Sequence, residues 1–239
     1  MLLTYKHQTV DFDIEHIRSK KEVGVSLSGG TDSALLFFLL CKYLPEVKLL
    51  PWCGIDIYRA AHIFYAREIH QIISEMFPNV DIDPLYEFNI DVRDPDWIKT
   101  SKERHNKHNL PQSGFIKGLI CHYESSKMDV DYHINALTAN PPREVCKELG
   151  FYERCEERRF STDNETKLSS MYKPFRNVDK KWVYGMYKKF DLMETLYPYT
   201  QSCVGYPEHT NYFTEPCKKC FWCHEKLWAF GTYDICFDK

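Results

Sequence analysis

Residues 23–33, VGVSLSGGTDS, run straight into ALLFFLLC at 34–41, and this junction constrains the chain more than any other stretch. Val23, Val25 and Leu27, with small residues between them, suit a short buried strand. Residues 34–41 are apolar on every side, as in a core helix. Gly29 and Gly30 then fall at the strand-to-helix turn, where the lack of a Cβ lets main-chain N–H groups approach an anion closely. The helix start adds unpaired N–H donors and a positive dipole end, both suited to phosphate oxygens. Ser28, Thr31 and Ser33 can each donate a hydroxyl hydrogen bond. Asp32 would repel phosphate unless a cation lay between them, which makes it the expected Mg²⁺ partner. A plain tight turn with ordinary helix caps is the alternative.

The rest of the chain alternates strand and helix patterns. Residues 1–20 suit an edge strand or hairpin, and residues 48–57 (KLLPWCGIDI) a second strand broken by Pro51. Residues 60–77 carry Ile63, Phe64, Ile69, Ile72, Ile73 and Met76 at the spacing of an amphipathic helix. A third strand is expected within 80–90, and helices over 115–123 and 142–149 flank a strand near 132–137. Such alternation implies an α/β fold with a mainly parallel sheet flanked by helices, and a ligand site at the carboxyl ends of its strands. Residues 153–172 read as a polar, turn-rich excursion.

Near the other end, Cys203, Cys217, Cys220 and Cys223 form a second signal. C-x2-C-x2-C presents three thiols from one turn, and a fourth from a preceding loop completes the tetrahedral set that Zn²⁺ favours. An iron–sulfur cluster or disulfides are the competing uses, and His209 or His224 could replace a thiol. Cys41, Cys53, Cys121, Cys146, Cys155 and Cys236 are scattered and read as small buried hydrophobes.

With 239 residues the chain can bury one α/β core, assigned to 1–197, and a small C-terminal zinc lobe, 198–239. A formal charge of −3 disfavours tight non-specific nucleic-acid binding. The basic runs at 99–107 and 156–159 are expected to be solvated faces. No secretory signal pattern opens the sequence, and no apolar run reaches the ~20 residues a bilayer span requires. A cytoplasmic protein without membrane contact is expected, and a homodimer is left open.

SGGTDS fits S-G-G-x-D-S, the signature of the PP-loop ATP pyrophosphatases, and lacks the Gly-Lys-Ser/Thr ending of a Walker A loop. The tail PCKKCFWCHEKLWAF resembles the P-C-x2-C-x2-C-x2-R-x2-A-F tail of the QueC-type 7-cyano-7-deazaguanine (preQ0) synthases, with Lys226 at the usual Arg. DIYRAAHIFYAREI resembles a divergent form of that family's second-strand exit and helix. PFRNVDKKWVYGMYKKFDLMETLYPYTQSC resembles its P-L-x2-L-x-K-x-E segment, with Pro174, Lys180, Ser202 and Cys203 in step.

The resemblance implies a PP-loop fold of the adenine nucleotide alpha hydrolase type, using ATP, Mg²⁺ and Zn²⁺. It implies adenylation of a deazaguanine-like acid with loss of pyrophosphate, then attack by ammonia and a second activation that yields the nitrile. Ser28, Gly29, Gly30, Thr31, Asp32 and Ser33 would hold the nucleotide, and Asp32 and Lys180 would carry catalysis. Asp32→Ala is then expected to abolish pyrophosphate release with the fold intact.

Two stretches depart from the family where substrate specificity should lie. NLPQSGFIKGL carries Gln112 and Ser113 in place of P-x-R-N, and NALTANPPREVC places Asn140, Pro142 and Arg143 where the family has Y-P-D-C-R. A different acceptor, a tRNA base or a protein group, with Cys121 or Cys146 as a sulfur carrier, is therefore an alternative, as is a non-enzymatic nucleotide-binding assembly module. Lys180 as a surface lysine is weighed against its cationic role. Trp222 and Trp228 are weighed as base-stacking platforms against packing of the metal lobe, and Asp56 and Arg59 as adenine and ribose contacts.

Overall fold

A computed structural model describes residues 1–58, 61–104, 112–155, 171–212 and 214–234. The chain opens with an antiparallel hairpin, β1 (Leu2–Tyr5) and β2 (Gln8–Asp11), and a short helix α1 (Ile14–Arg18). The hairpin forms its own two-stranded sheet rather than an edge of the main one. Beside it, five strands pair in parallel: β3 (Glu22–Ser26), β4 (Lys48–Asp56), β5 (Tyr86–Ile90), β6 (Tyr132–Ile134) and β7 (Met171–Tyr172), in the order β5-β4-β3-β6-β7. The expected α/β class with a parallel sheet is what the chain adopts.

β3 lies at the centre, with Val23 and Val25 fully buried. From it the chain moves outward through α2 (Thr31–Tyr43) to β4 and through α3 (Ala61–Met76) to β5. It then returns past α4 (Pro95–Arg104) and α5 (Gln112–Ser125) to pair β6 with the opposite edge of β3. That reversal opens a crevice at the carboxyl ends of β3 and β6.

α2 is buried on all sides from Ala34 to Cys41, as its uninterrupted apolar run requires. α3 turns Ile63, Ile69 and Ile73 inward, whereas Phe64 and Met76 are exposed.

Pro51 does not break the second strand; β4 runs through it. Leu49 donates its N–H toward the β5 side, to Asp81, and strand alternation points position 51 the same way. There the β4–β5 ladder starts only at Trp52↔Tyr86, so the missing N–H of Pro51 leaves no gap in the pairing.

Besides the short α1, which lies where only a strand or hairpin was expected, three helices with no mark in the sequence pattern complete the fold among the described residues: α4, α7 (Lys180–Lys189) and α8 (Phe221–Phe230). Asp179 caps α7 by accepting from Lys181 N–H, and Gln8 of β2 bonds both the N–H and the carboxylate of Asp179. Trp182 donates its indole N–H to the Leu3 carbonyl at 3.1 Å, which ties α7 to the hairpin. α8 lies along α7, and Ala229 and Phe230 join the same apolar core as Tyr187 and Tyr197. A short helix α6 (Arg143–Glu148) follows the crevice. Most of the excursion expected at 153–172 lies outside the described residues, bounded by a 3-10 turn at Tyr152–Cys155 and by β7. Among the described residues no helix is long and apolar enough to cross a membrane.

Candidate active site

The bend after β3 is built by two glycines with different tasks. Gly29 has φ +77°, in the left-handed region, and a Cβ there would sit 2.5 Å from the His62 carbonyl oxygen and 3.1 Å from Tyr65 Cβ. Both the angle and the close approach of α3 therefore require glycine. Gly29→Ala is expected to cost about 2 kcal/mol or more through strain and displacement of α3, to be read by urea denaturation; wild-type stability would contradict the packing described. Gly30 is extended (φ −88°, ψ 164°) and caps α2 without a side-chain bond. The Ser33 hydroxyl donates to the Gly30 carbonyl at 3.1 Å and accepts from Ser28 N–H at 3.1 Å, and the Ser28 hydroxyl lies 3.2 Å from it. The Gly29 carbonyl accepts from Gln201 N–H at 2.8 Å, so the loop leading to the first clustered cysteine braces the bend.

Asp32, in the first turn of α2, meets Lys180 at the start of α7, with Oδ2 and Nζ 2.5 Å apart. Thr138 donates its hydroxyl to the same oxygen at 3.3 Å. Glu225 of α8 approaches Lys180 at 3.7 Å. Lys180 is 3% exposed, so it is no surface lysine. Burial alone would discharge it, but the charges of Asp32 and Glu225 and the bond to Asp32 outweigh burial and raise its pKa above the ordinary lysine value. Thr31, like Gly29, stands behind the residues of the bend that line the cavity: it is fully buried, its hydroxyl lies 3.4 Å from Asp32 Oδ1, and its carbonyl accepts from Tyr187 OH at 3.0 Å. It supports the turn from behind and does not line the cavity.

The cavity, about 220 Å³, fills the crevice between β3 and β6. Ser28, Gly30, Asp32 and Ser33 form one wall, and Asn135 to Thr138 with Asn140 form the facing one. The far end is aromatic and cationic. Arg154 places its guanidinium 4.9 Å from the Phe221 ring centroid and 5.1 Å from that of Trp222, while its carbonyl accepts from Asn140 Nδ2 at 3.0 Å.

Trp222 thus lines the cavity, whereas Trp228 packs against the main core under Lys181. Arg143 is exposed beyond the cavity wall. Asp56 lies outside it as well, accepting from Tyr58 N–H at 3.1 Å and facing Lys117 at 3.8 Å. Arg59 lies outside the described residues, and Gln112 and Ser113 fall in the first turn of α5. Cys121 and Cys146, weighed as sulfur carriers, do not line the cavity; burial pushes the Cys121 thiol up to about 11, which opposes thiolate chemistry there. Burial likewise pushes Cys41 and Cys53 up to about 12, in line with inert core thiols.

Thr138, Arg154 and Glu225 escaped the sequence reading. Only Glu225 carries a local signal, two places after the last clustered cysteine.

The ligand atoms of Cys203, Cys217, Cys220 and Cys223 all lie within 4.8 Å of one another. Gly205 N–H and Cys217 N–H donate to Cys203 Sγ at 3.3 and 3.2 Å, and Cys220 N–H donates to Cys217 Sγ at 3.4 Å. Backbone donors aimed at sulfur suit thiolates, and four converging thiols supply the full tetrahedral set of a closed, structural metal site. Among the described residues no histidine joins this cluster: His209 packs against Tyr206 and His224 against Phe151. Behind it the Asp234 carboxylate accepts from Ser202 N–H at 3.0 Å and Cys203 N–H at 2.9 Å and pairs with fully buried Lys226, which also reaches Thr200. Burial lowers the Lys226 pKa, with Asp234 opposing it. Cys220 caps α8, so the cysteine cluster and the cavity wall share one helix.

No family model matches the chain, and no curated protein matches it in sequence. Among solved structures it is similar to the U34-tRNA thiolase NcsA from Methanococcus maripaludis with its 4Fe-4S cluster, at 14% identity and TM-score 0.43 over 91% of this chain and 76% of that one. NMN synthetase from Francisella tularensis is similar at 13% identity and TM-score 0.47, over 93% and 88% of the two chains. NAD+ synthetase from Burkholderia pseudomallei is similar at 13% and 0.42, over 74% and 69%. Likeness at this level leaves the chemistry to be read from the residues of this chain.

Proposed function

We propose that the chain is a PP-loop ATP pyrophosphatase that adenylates the carboxylate of a small planar acid and passes the acyl group to ammonia. The convergence of Asp32 and Lys180 beside the glycine bend carries this reading, because it puts a carboxylate and a buried ammonium where a triphosphate would meet main-chain N–H groups.

The acid's carboxylate oxygen attacks the α-phosphorus of ATP, the bond to the bridging oxygen breaks, and pyrophosphate leaves. Ammonia then adds to the acyl carbon and AMP departs with the oxygen, giving the amide. For the nitrile, the amide oxygen is adenylated in turn and lost as AMP with two protons. Ser28, Ser33 and the first-turn N–H groups of α2 bind and orient the phosphates. Lys180 holds an ammonium against charge developing on the leaving pyrophosphate. Asp32 would hold Mg²⁺, which supplies charge neutralisation when bound. The Arg154, Phe221 and Trp222 end is suited to a planar, anionic acceptor, and a 7-deazaguanine acid is the acceptor favoured by the resemblance of both chain ends. Zn²⁺ at the four cysteines would be structural.

Protein incubated with ATP, Mg²⁺, ammonium and 7-carboxy-7-deazaguanine is expected to release pyrophosphate and AMP and to yield the nitrile mass. Pyrophosphate release with other planar acids only would move the acceptor. The absence of release with any acid, tRNA or protein acceptor would remove the adenylating function.

A further inference from the structure

Lys226 and Asp234 form an ion pair with both side chains fully out of solvent, and neither lines the cavity. Apolar residues of similar volume often replace such a pair without loss of stability, so stability alone explains two buried charges poorly. Their partners point to another use. Asp234 Oδ1 takes the Lys226 ammonium, and Oδ2 accepts from Ser202 N–H at 3.0 Å and Cys203 N–H at 2.9 Å. Lys226 also donates to the Thr200 carbonyl at 3.3 Å and to its hydroxyl at 3.2 Å. Gln201 is thereby held from both sides, and its N–H bonds the Gly29 carbonyl at 2.8 Å. Gly231, at φ +77°, ends α8 and returns the chain to this segment, where Thr232 meets the Tyr197 hydroxyl at 2.6 Å.

The Gly29 carbonyl belongs to the same planar peptide as the Gly30 N–H, and the two point in opposite directions across a trans unit. Drawing the carbonyl toward Gln201 therefore turns the Gly30 N–H away from Gln201, at a residue that lines the cavity and caps α2. With glycine on both sides, that peptide plane has unusual freedom to rotate until a partner fixes it.

Resting on the ATP reading above, we propose that Asp234 is a positioning residue for the glycine bend. Together with Lys226 it sets the 200–203 segment so that Gln201 orients the Gly29–Gly30 peptide and the Gly30 N–H is presented to a nucleotide phosphate. The pair touches no substrate and acts through that segment.

The test combines calorimetry of ATP with Mg²⁺ and NMR-detected amide exchange. In wild type, saturating Mg²⁺-ATP is expected to slow exchange of the Gln201 amide more than that of the β1–β2 hairpin. In Asp234→Asn the amide has one acceptor oxygen and must turn its NH₂ either to Lys226 or to the two N–H groups. ATP is expected to bind this variant about ten-fold more weakly, the low end for a hydrogen bond to a charged group, and the Gln201 amide should exchange faster. In Lys226→Met/Asp234→Asn the ammonium is gone, the amide oxygen can face Ser202 and Cys203, and most of the affinity should return. Wild-type affinity in folded Asp234→Asn, or weakened affinity with exchange at Gln201 unchanged, overturns the role of Asp234 and leaves the ATP reading standing. If Asp234→Asn does not fold, the wild-type measurement decides: exchange at Gln201 that saturating nucleotide leaves unchanged overturns the proposal. No binding of ATP to wild type overturns both.

Discussion

Asp32→Ala is expected to lower pyrophosphate release by about 10³-fold or more, the upper range for one group acting in a preorganised polar site. The variant loses the carboxylate proposed for Mg²⁺ and the nearest partner of Lys180 together. The sequence alone predicts an intact fold for this variant, but the geometry revises that. Lys180 is almost fully buried, and taking away one member of a buried ion pair usually costs about 3–5 kcal/mol. Glu225 still faces the ammonium at 3.7 Å, and the Asp32 side chain is 19% exposed, so a loss of about 2 kcal/mol is expected. Pyrophosphate release and urea denaturation measure the two effects separately. Turnover at the wild-type rate would remove the role given to Asp32, and unchanged stability would show that Glu225 alone suffices to hold Lys180.

The second large effect is expected at the cysteine cluster. Cys220→Ser removes one thiolate from the set and should release the metal and lower the melting temperature together, since metal binding in such sites is folding free energy. For a chain of this size each kcal/mol moves the midpoint by about 2–4 °C. A loss of about 4 kcal/mol would then lower it by roughly 10 °C. Because Cys220 also caps α8, the walls formed by Phe221, Trp222 and Glu225 should loosen before global unfolding. ATP affinity should fall at temperatures where the circular dichroism of the variant is still native. Full metal content with an unchanged melting curve would contradict the four-thiolate site.

What the sequence could announce was local chemistry. Gly29, Gly30 and Asp32 fall within the six-residue run SGGTDS, and the whole run, not the glycine pair alone, sets a phosphate-binding bend apart from a plain tight turn. Three of the cysteines sit at knuckle spacing, and their ligand atoms converge with that of Cys203. The central strands and α2 were legible for the same reason, since burial on both faces leaves an uninterrupted apolar run.

Lys180 could be brought forward only through resemblance, because DKKW is an ordinary charged run until tertiary packing buries its first lysine. Thr138 and Arg154 come from connections whose composition marks nothing, and only the fold places them on one cavity. α7 and α8 went unmarked because they are packed on aromatic and charged side chains, Trp182, Tyr187, Glu225 and Lys226 among them, that blur an apolar stripe. Pro51 reads as a strand breaker in the sequence because proline's cost depends on its ladder position, which only the β4–β5 register fixes.

Asp32 and Lys180 touch across 148 residues of chain. No short segment holds half of the cavity in usable form, and closing so long a loop before its contacts form is entropically costly. A nascent polypeptide emerging from the ribosome would therefore carry the glycine bend long before it could grip a nucleotide. If the proposed function holds, nucleotide binding becomes a reporter of completed folding, and saturating ATP should protect the whole assembly, both chain ends at once, against thermal melting and proteolysis.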